Sequence, residues 1–318
     1  MKSSVVVPDS LVAIRRRLAP YSTVFGLTAL FLASSIISPV FLTPTNLMNI
    51  LRQMPILGFM ALGMTLVIIS GGIDLSVGGV LSLAAVGTAM LLPRLGALLT
   101  VPVIIAIGAV IGSLNGFIVS KWKLEPFVVT LGMQTVATGF SFMWSGGRTV
   151  IVNNIPDVVV ALSNESVGPV PLSIVLMGGT YLVFWFWMRR SVFGRYIYAL
   201  GGNEEVSYLS GVNVRLVRIV VFVISGSLSA VAGIFHFSRV LSGDPTAGGG
   251  IPLFVIASVI IGGTKFNGGR GSVALTIIGL LIIGIINNIL NLLGATYYLQ
   301  LIVQGVIIIS AVLVSSRS

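Results

Sequence analysis

Long apolar runs, each interrupted by a short polar or glycine-bearing stretch, recur along the whole chain. They cover residues 22–42, 54–70, 76–93, 97–119, 126–144, 171–188, 214–237, 251–264, 272–291 and 297–315. Most approach the roughly 20 residues that a helix needs to cross the hydrocarbon core of a bilayer. The eighth is short and runs into glycines. The second and third are separated only by Ser70-Gly71-Gly72-Ile73-Asp74-Leu75-Ser76. Nothing between the runs is long enough for a separate folded domain. The pattern predicts an all-α, polytopic membrane protein of about ten transmembrane helices, some of them broken. It divides into a cytoplasmic N-terminal tail over 1–20 and a single transmembrane domain over 21–318.

Composition agrees with that pattern. Of 318 residues, 56% are hydrophobic and only 8% are charged, whereas a soluble domain carries roughly 25% charged residues. The net charge of +10 does not point to nucleic acid, because the cations are few and scattered between apolar runs. They sort instead by side. With the N-terminus inside and ten alternating spans, 14 Lys and Arg fall in cytoplasmic segments. Only Arg52, Arg94, Arg148 and Arg239 fall outside. That bias is the positive-inside signature, and it predicts a multi-pass membrane protein with both termini cytoplasmic. Residues 1–20 lack an apolar core beside their positive charges and do not read as a cleaved signal peptide. With no cysteine, disulfides, thiolate chemistry and cysteine metal sites are excluded.

The eight acids are Asp9, Asp74, Glu125, Asp157, Glu165, Glu204, Glu205 and Asp244, and most fall in tails or loops. Asp74 is different because it lies between two closely spaced apolar runs. An ionisable group at membrane depth is a functional candidate by default. Ser70, Gly71, Gly72, Asp74 and Ser76 suit a broken helix beside a translocation path, since glycine permits the break and Ser and Asp cap the freed donors. The same residues also suit an ordinary turn in which Asp74 only caps the following helix. His236, the only histidine, has no cysteine or carboxylate pair with which to build a metal site. Trp185 and Trp187 precede Arg189 and Arg190, the arrangement of an interfacial belt and anchor. No nucleophile–base set or phosphate-binding loop is present, and Gly268-Gly269-Arg270-Gly271-Ser272 reads as a tight cytoplasmic turn.

The largest inner connection spans Ser191 to Val214. Gly201 and Gly202 are read as a break there. Asn203 then caps a short helix, Glu204 and Glu205 suit its positive end, Val206 and Leu209 give an apolar edge, and Gly211 suits its stop. A helix this short needs a surface to pack on. That surface is either the protein's own membrane domain or a partner. A further echo links Ile69-Ser70-Gly71-Gly72 to Ile261-Gly262-Gly263-Thr264, although two glycine pairs do not establish a repeat.

The Ser191–Val214 loop closely resembles the cytoplasmic coupling segment of bacterial ABC-importer permeases of the ribose/pentose, or monosaccharide, type. Ile68 to Gly78, Pro245-Thr246-Ala247-Gly248, Ala257 to Ser272 and Asn287 to Gly294 are similar to the same family. The resemblance runs from about residue 40 to the C-terminus. It implies a transport subunit that is not itself an enzyme and that works with a second copy of itself or a close relative, surrounded by the membrane lipid of a bacterial inner membrane. It also implies a cytoplasmic ATP-binding subunit, which holds ATP and Mg so that this chain needs no cofactor, and a periplasmic sugar-binding protein. The ATPase-coupling residues so implied are Gly194, Arg195, Ala199, Gly201, Gly202, Asn203, Glu204, Glu205, Val206, Leu209, Ser210 and Gly211. Where relatives commonly continue Gly-Tyr-Glu-Leu-Asp after the Pro-Thr-Ala-Gly motif, this chain has Ile251-Pro252-Leu253-Phe254 after Gly250, so both acids are absent. The expected function is ATP-driven import of a monosaccharide, ribose or a related sugar. Import of another small polar solute, such as an amino acid, is a rival with the same mechanism. A rival of another class is an ion-coupled secondary transporter that uses Asp74 as its coupling acid. The scarcity of intramembrane acids counts against it.

Overall fold

The computed structural model describes residues 22–316, and the expected tail over 1–20 lies outside them. In chain order the elements are α1 (Ser22–Ile37), α2 (Pro44–Ile69), α3 (Val77–Trp122), α4 (Pro126–Ser145), β1 (Val150–Ile151), α5 (Asp157–Asn164), β2 (Ser166–Val167) and β3 (Val170–Pro171). There follow α6 (Leu172–Arg190), α7 (Val192–Gly202), α8 (Glu204–Leu209), α9 (Val214–Val240), β4 (Ser242–Gly243), α10 (Ile251–Ile261), α11 (Val273–Leu292) and α12 (Tyr297–Ser316). The fold is mostly helical. Among the described residues the sheet is confined to two short antiparallel pairs, β1 with β4 and β2 with β3.

Six helices, namely α2, α3, α4, α6, α9 and α11, are long and apolar enough to cross a membrane. The number differs from the ten predicted runs for two reasons. The 46-residue α3 carries two runs and is interrupted at Gly96, where φ 68° and ψ 173° leave the helical region. Its two arms pack on each other, since a β-carbon on Gly87 would lie 2.6 Å from Ile104 Cδ1. The other three runs fall on α1, α10 and α12. The 11 residues of α10 span only about 16 Å at 1.5 Å per residue, half a bilayer core. The chain enters α10 through turns over 245–250 that lie along α3: β4 sits near Val86 and Ala89, and Gly248 N–H donates to Ser82 Oγ at 2.8 Å. Helix α10 is thus a half-helix beginning beside α3.

The centre of the core is α2, buried without interruption from Gly58 to Ile69. It starts ten residues before its apolar run, because Thr43 caps it through Asn46 N–H and Pro44 occupies its first position, where a missing N–H costs nothing. Helix α9 lies against both arms of α3 with almost no side chain between them. A β-carbon on Gly112 would overlap the carbonyl oxygen of Phe222, and Gly108 and Gly226 meet in the same way. Lipid offers no hydrophobic gain for burying apolar faces, so close backbone contact through small residues supplies the attraction by dispersion. Helices α2 and α11 are joined by a reciprocal amide pair, with Asn46 Nδ2 donating to Asn288 Oδ1 at 3.0 Å and Asn288 Nδ2 to Asn46 Oδ1 at 2.7 Å.

The connection over 145–170 holds more structure than its turn-forming composition suggests. Helix α5 is fastened to the end of α9: Ser163 N–H donates to Ser238 Oγ at 3.1 Å, and Ser238 Oγ donates to the Val159 carbonyl at 2.6 Å. Strand β1 pairs with β4 through Val150 opposite Gly243.

Candidate functional site

Two regions account for the candidate residues. The first is the turn from α2 to α3. Helix α2 ends when Gly71 takes φ +86°, and Gly71 and Gly72 donate to the carbonyls of Ile68 and Val67 at 2.9 Å each. This left-handed glycine stop satisfies carbonyls that the helix would otherwise leave open. The same stop ends α10, where Gly263 takes φ +87° and Gly263 and Thr264 donate back to Ile260 and Val259. The sequence echo between the two segments is therefore a repeated piece of local structure.

Beyond Gly72 the chain turns back through Asp74, whose side chain is wholly buried. Asp74 Oδ1 accepts from Ser76 N–H at 3.0 Å and from Ser76 Oγ at 2.5 Å. Asp74 Oδ2 accepts from Ser225 Oγ of α9 at 2.7 Å. Asn115, on the far arm of α3, donates to Ser76 Oγ at 2.9 Å. Helix α4 closes the other side, where Thr130 Oγ1 accepts from Leu75 N–H at 3.0 Å and Gln134 Oε1 from Gly79 N–H at 2.6 Å. A buried carboxylate is tolerated only when its lone pairs are filled, and three donors fill these. Ser70 and Ser76 are also buried. Asp74 thus closes a turn and ties α2, α3 and α9 together, and in this conformation neither it nor its two serines faces an open channel. Sequence reasoning found Asp74 and Ser76 but missed Ser225, Asn115, Thr130 and Gln134, whose only signal is that they are polar residues within apolar runs.

The second region is the segment from Ser191 to Val214. A sharp bend from α6 into α7 requires Gly194, where a β-carbon would overlap the Met188 carbonyl. Ser191 Oγ caps α7 by accepting from Gly194 N–H at 2.9 Å. Gly201 and Gly202, read from the sequence as a break, instead form the last turn of α7, and the helix ends at Asn203, where φ is −163°. Gly201 serves close approach: a β-carbon there would overlap the Ile69 carbonyl oxygen and stand 2.6 Å from Gly269 N. Gly269 N–H in turn donates to that same Ile69 carbonyl at 2.9 Å. The ends of α2 and α7 and the 265–271 turn therefore meet backbone to backbone.

Helix α8 follows as expected. Asn203 Oδ1 accepts from Val206 N–H at 2.9 Å, and Gly211 ends the segment at φ +83°. Ser207 is its buried contact, whereas Val206, Tyr208 and Leu209 are 58%, 71% and 76% exposed. The apolar edge of Val206 and Leu209 thus faces away from the protein's own helices. Glu204 is held within the chain by a two-pronged ion pair to Arg218, at 3.2 and 2.6 Å. Arg195, Ala199, Gly202, Glu205 and Ser210 are exposed. No group of three or more His, Cys, Asp or Glu able to hold a metal occurs among the described residues.

Residues 46–312 match the family of permease components of branched-chain amino acid transport systems. The ribose import permease of Haemophilus influenzae is 40% identical over 303 residues, covering 94% of each chain. The ribose import permease of Escherichia coli K12 is 41% identical over 298 residues, 93% of each. The D-allose transport permease of E. coli K12 is 38% identical over 299 residues, 92% of this chain and 90% of its own. No solved structure matches.

Proposed function

The chain belongs to that permease family, and from this premise we infer that it is the membrane-spanning subunit of an ATP-driven importer that carries a monosaccharide, ribose or a related sugar, across the bacterial inner membrane. The relatives' names supply the sugar class, since ribose and allose permeases align over nearly the whole chain. Hydrolysis of ATP falls to a separate ATP-binding subunit, which holds the nucleotide and Mg. Delivery of the sugar falls to a periplasmic binding protein. The subunit pairs with a second copy of itself or a close relative. Its ten crossings are α1, α2, the two arms of α3, α4, α6, α9, α10 with the turns that lead into it, α11 and α12, and both termini lie in the cytoplasm.

One observation carries the coupling role. The α7–α8 segment is bolted at Gly201 to the end of α2, while it presents Val206, Tyr208 and Leu209 outward. A segment anchored on one side and apolar on the other is suited to receive a partner and pass its movement to the core. The Asp74 turn sits just beyond that anchor, so it is the part of the translocation machinery that such movement reaches first. The ion-coupled alternative is weakened by the same geometry, because Asp74 gives its lone pairs to donors inside the protein.

The test is sugar uptake in vesicles that hold the purified permease, with and without the ATP-binding subunit, the binding protein and ATP. Uptake of labelled ribose, allose or arabinose that requires all three supports the assignment. Accumulation driven by a proton or sodium gradient without the ATP-binding subunit would overturn it.

A further inference from the structure

Where α6, α7 and the start of α11 meet, the surface folds into a cavity of about 420 Å³ lined by Trp185, Met188, Arg189, Arg195, Tyr198, Ser272 and Val273. Two of its seven side chains are guanidinium groups. Among the described residues the single ion pair joins Arg218 to Glu204, so no described carboxylate pairs with either arginine. Arg189 is held over the Trp185 ring, 5.4 Å from its centre, a cation–π contact that orients the charge without cancelling it. The floor is fixed by Tyr198, whose hydroxyl donates to the Gly271 carbonyl at 3.0 Å. Burial raises the Tyr198 pKa, which keeps that donor protonated. Ser272 Oγ accepts from Leu275 N–H at 3.4 Å, an arrangement that leaves its hydroxyl hydrogen for a ligand. The first turn of α11 adds the positive end of a 20-residue helix to the same wall.

The cavity opens onto an apolar stripe. Leu182, Trp185, Phe186 and Arg189 stand at i, i+3, i+4 and i+7 along α6, and so share one face. Leu182 is 65% and Phe186 58% exposed. The stripe leads from the two cations into the apolar length of α6.

We propose that this cavity binds the phosphate headgroup of an anionic phospholipid, with Arg189 and Arg195 on the phosphate and an acyl chain lying along Leu182 and Phe186. A free phosphate or a nucleotide phosphate would meet the same cations. The first would leave most of the volume unused and both would leave the stripe unused, and the stripe is what selects a lipid. Basic pockets at helix ends beside the cytoplasmic leaflet recognise anionic headgroups by this combination of point charges and adjoining apolar surface. The inference rests on the membrane reading of α6, and it does not depend on ATP-driven import.

The experiment is native mass spectrometry of the purified permease after exchange into micelles containing phosphatidylglycerol, phosphatidylcholine or neither, with inorganic phosphate as a competitor. Because neither ATP nor sugar is present, a failed transport assignment leaves its outcome unaffected. The wild type is expected to retain phosphatidylglycerol over phosphatidylcholine. Arg189→Gln with Arg195→Gln should weaken that retention by about 30-fold, the combined effect of two arginines near a charged headgroup plane. Arg215→Gln, which removes an exposed cation beside Phe117, should leave it unchanged. Gel filtration separates a misfolded double variant from a folded one, and the wild-type comparison of the two lipids stands whether or not that variant folds. Equal retention of both lipids by the wild type would overturn the proposal. So would displacement of the lipid by millimolar phosphate. The third overturning result is a folded double variant that retains phosphatidylglycerol as well as the wild type does, which would free the arginines from the headgroup.

Discussion

Gly269 donates its backbone N–H to the carbonyl oxygen of Ile69 at 2.9 Å, which joins the glycine turn before α11 to the last residue of α2. Gly201 packs against that bond. A β-carbon at 201 would overlap the accepting oxygen, whereas one at Gly202 would meet nothing within 4 Å.

Two adjacent glycines should therefore respond oppositely to the same substitution. Gly201→Ala is expected to cost on the order of 2 kcal/mol through overpacking, together with loss of coupled transport. Gly202→Ala should be neutral to within about 0.5 kcal/mol. Thermal unfolding of the detergent-purified variants reads the difference, and equal melting temperatures would remove the junction from the account.

Asp74 offers a second test. Asp74→Ala strands three donors, namely Ser76 N–H, Ser76 Oγ and Ser225 Oγ, in a dry interior. An unsatisfied buried donor costs about 1–3 kcal/mol, so the yield of folded protein should fall. Asp74→Asn keeps one accepting oxygen for Ser76, and the Ser225 hydroxyl can rotate to accept from the new amide. Uptake by Asp74→Asn should then stay within a few-fold of wild type. An Asn variant that is fully inserted yet inactive would show that the negative charge itself is required.

On α8, Leu209 is 76% exposed, so Leu209→Asp should leave stability within about 0.5 kcal/mol of wild type. It should nonetheless reduce copurification of the ATP-binding subunit and abolish sugar-stimulated ATP hydrolysis. Intact docking and hydrolysis in this variant would move the docking surface elsewhere, with the turn from Gly262 to Ser272 as the next candidate. Glu204 is the less informative position, because its charge is already committed to Arg218.

The proposed orientation is checked with reporter fusions after residues 122, 160, 203 and 266, which should report inside, outside, inside and inside. A periplasmic signal at 203 would contradict it and would also place the α7–α8 segment out of reach of any ATP-binding subunit.

What the sequence discloses depends on the range of the interaction. Local signals were legible: the gap between the third and fourth apolar runs falls on the break at Gly96, Asn203 caps α8, and Gly211 ends the segment. Each of these acts on backbone groups a few residues away. The apolar run understates the start of α2 because Asn46, Arg52 and Gln53 dilute the hydropathy of a stretch that is nonetheless helical. The role of Gly201 is not legible in the sequence, because a glycine needed for close approach and a glycine that breaks a helix are the same letter. The partners of Asp74 were out of reach. Ser225 is 151 residues away in the chain, and nothing local distinguishes it from the other serines of α9.

The contact of α3 with α9 through Gly108, Gly112 and Gly226 has a mechanical consequence. Two helices that touch main chain to main chain have no side-chain layer whose rotamers could absorb a displacement. Sliding either by one residue would bring a β-carbon to where only a hydrogen fits. The pair therefore moves as one beam. Helices α2 and α11 meet instead through side chains, Asn46 with Asn288 and Thr65 with Thr276, and contacts of that kind can re-form after a small displacement as a main-chain contact cannot.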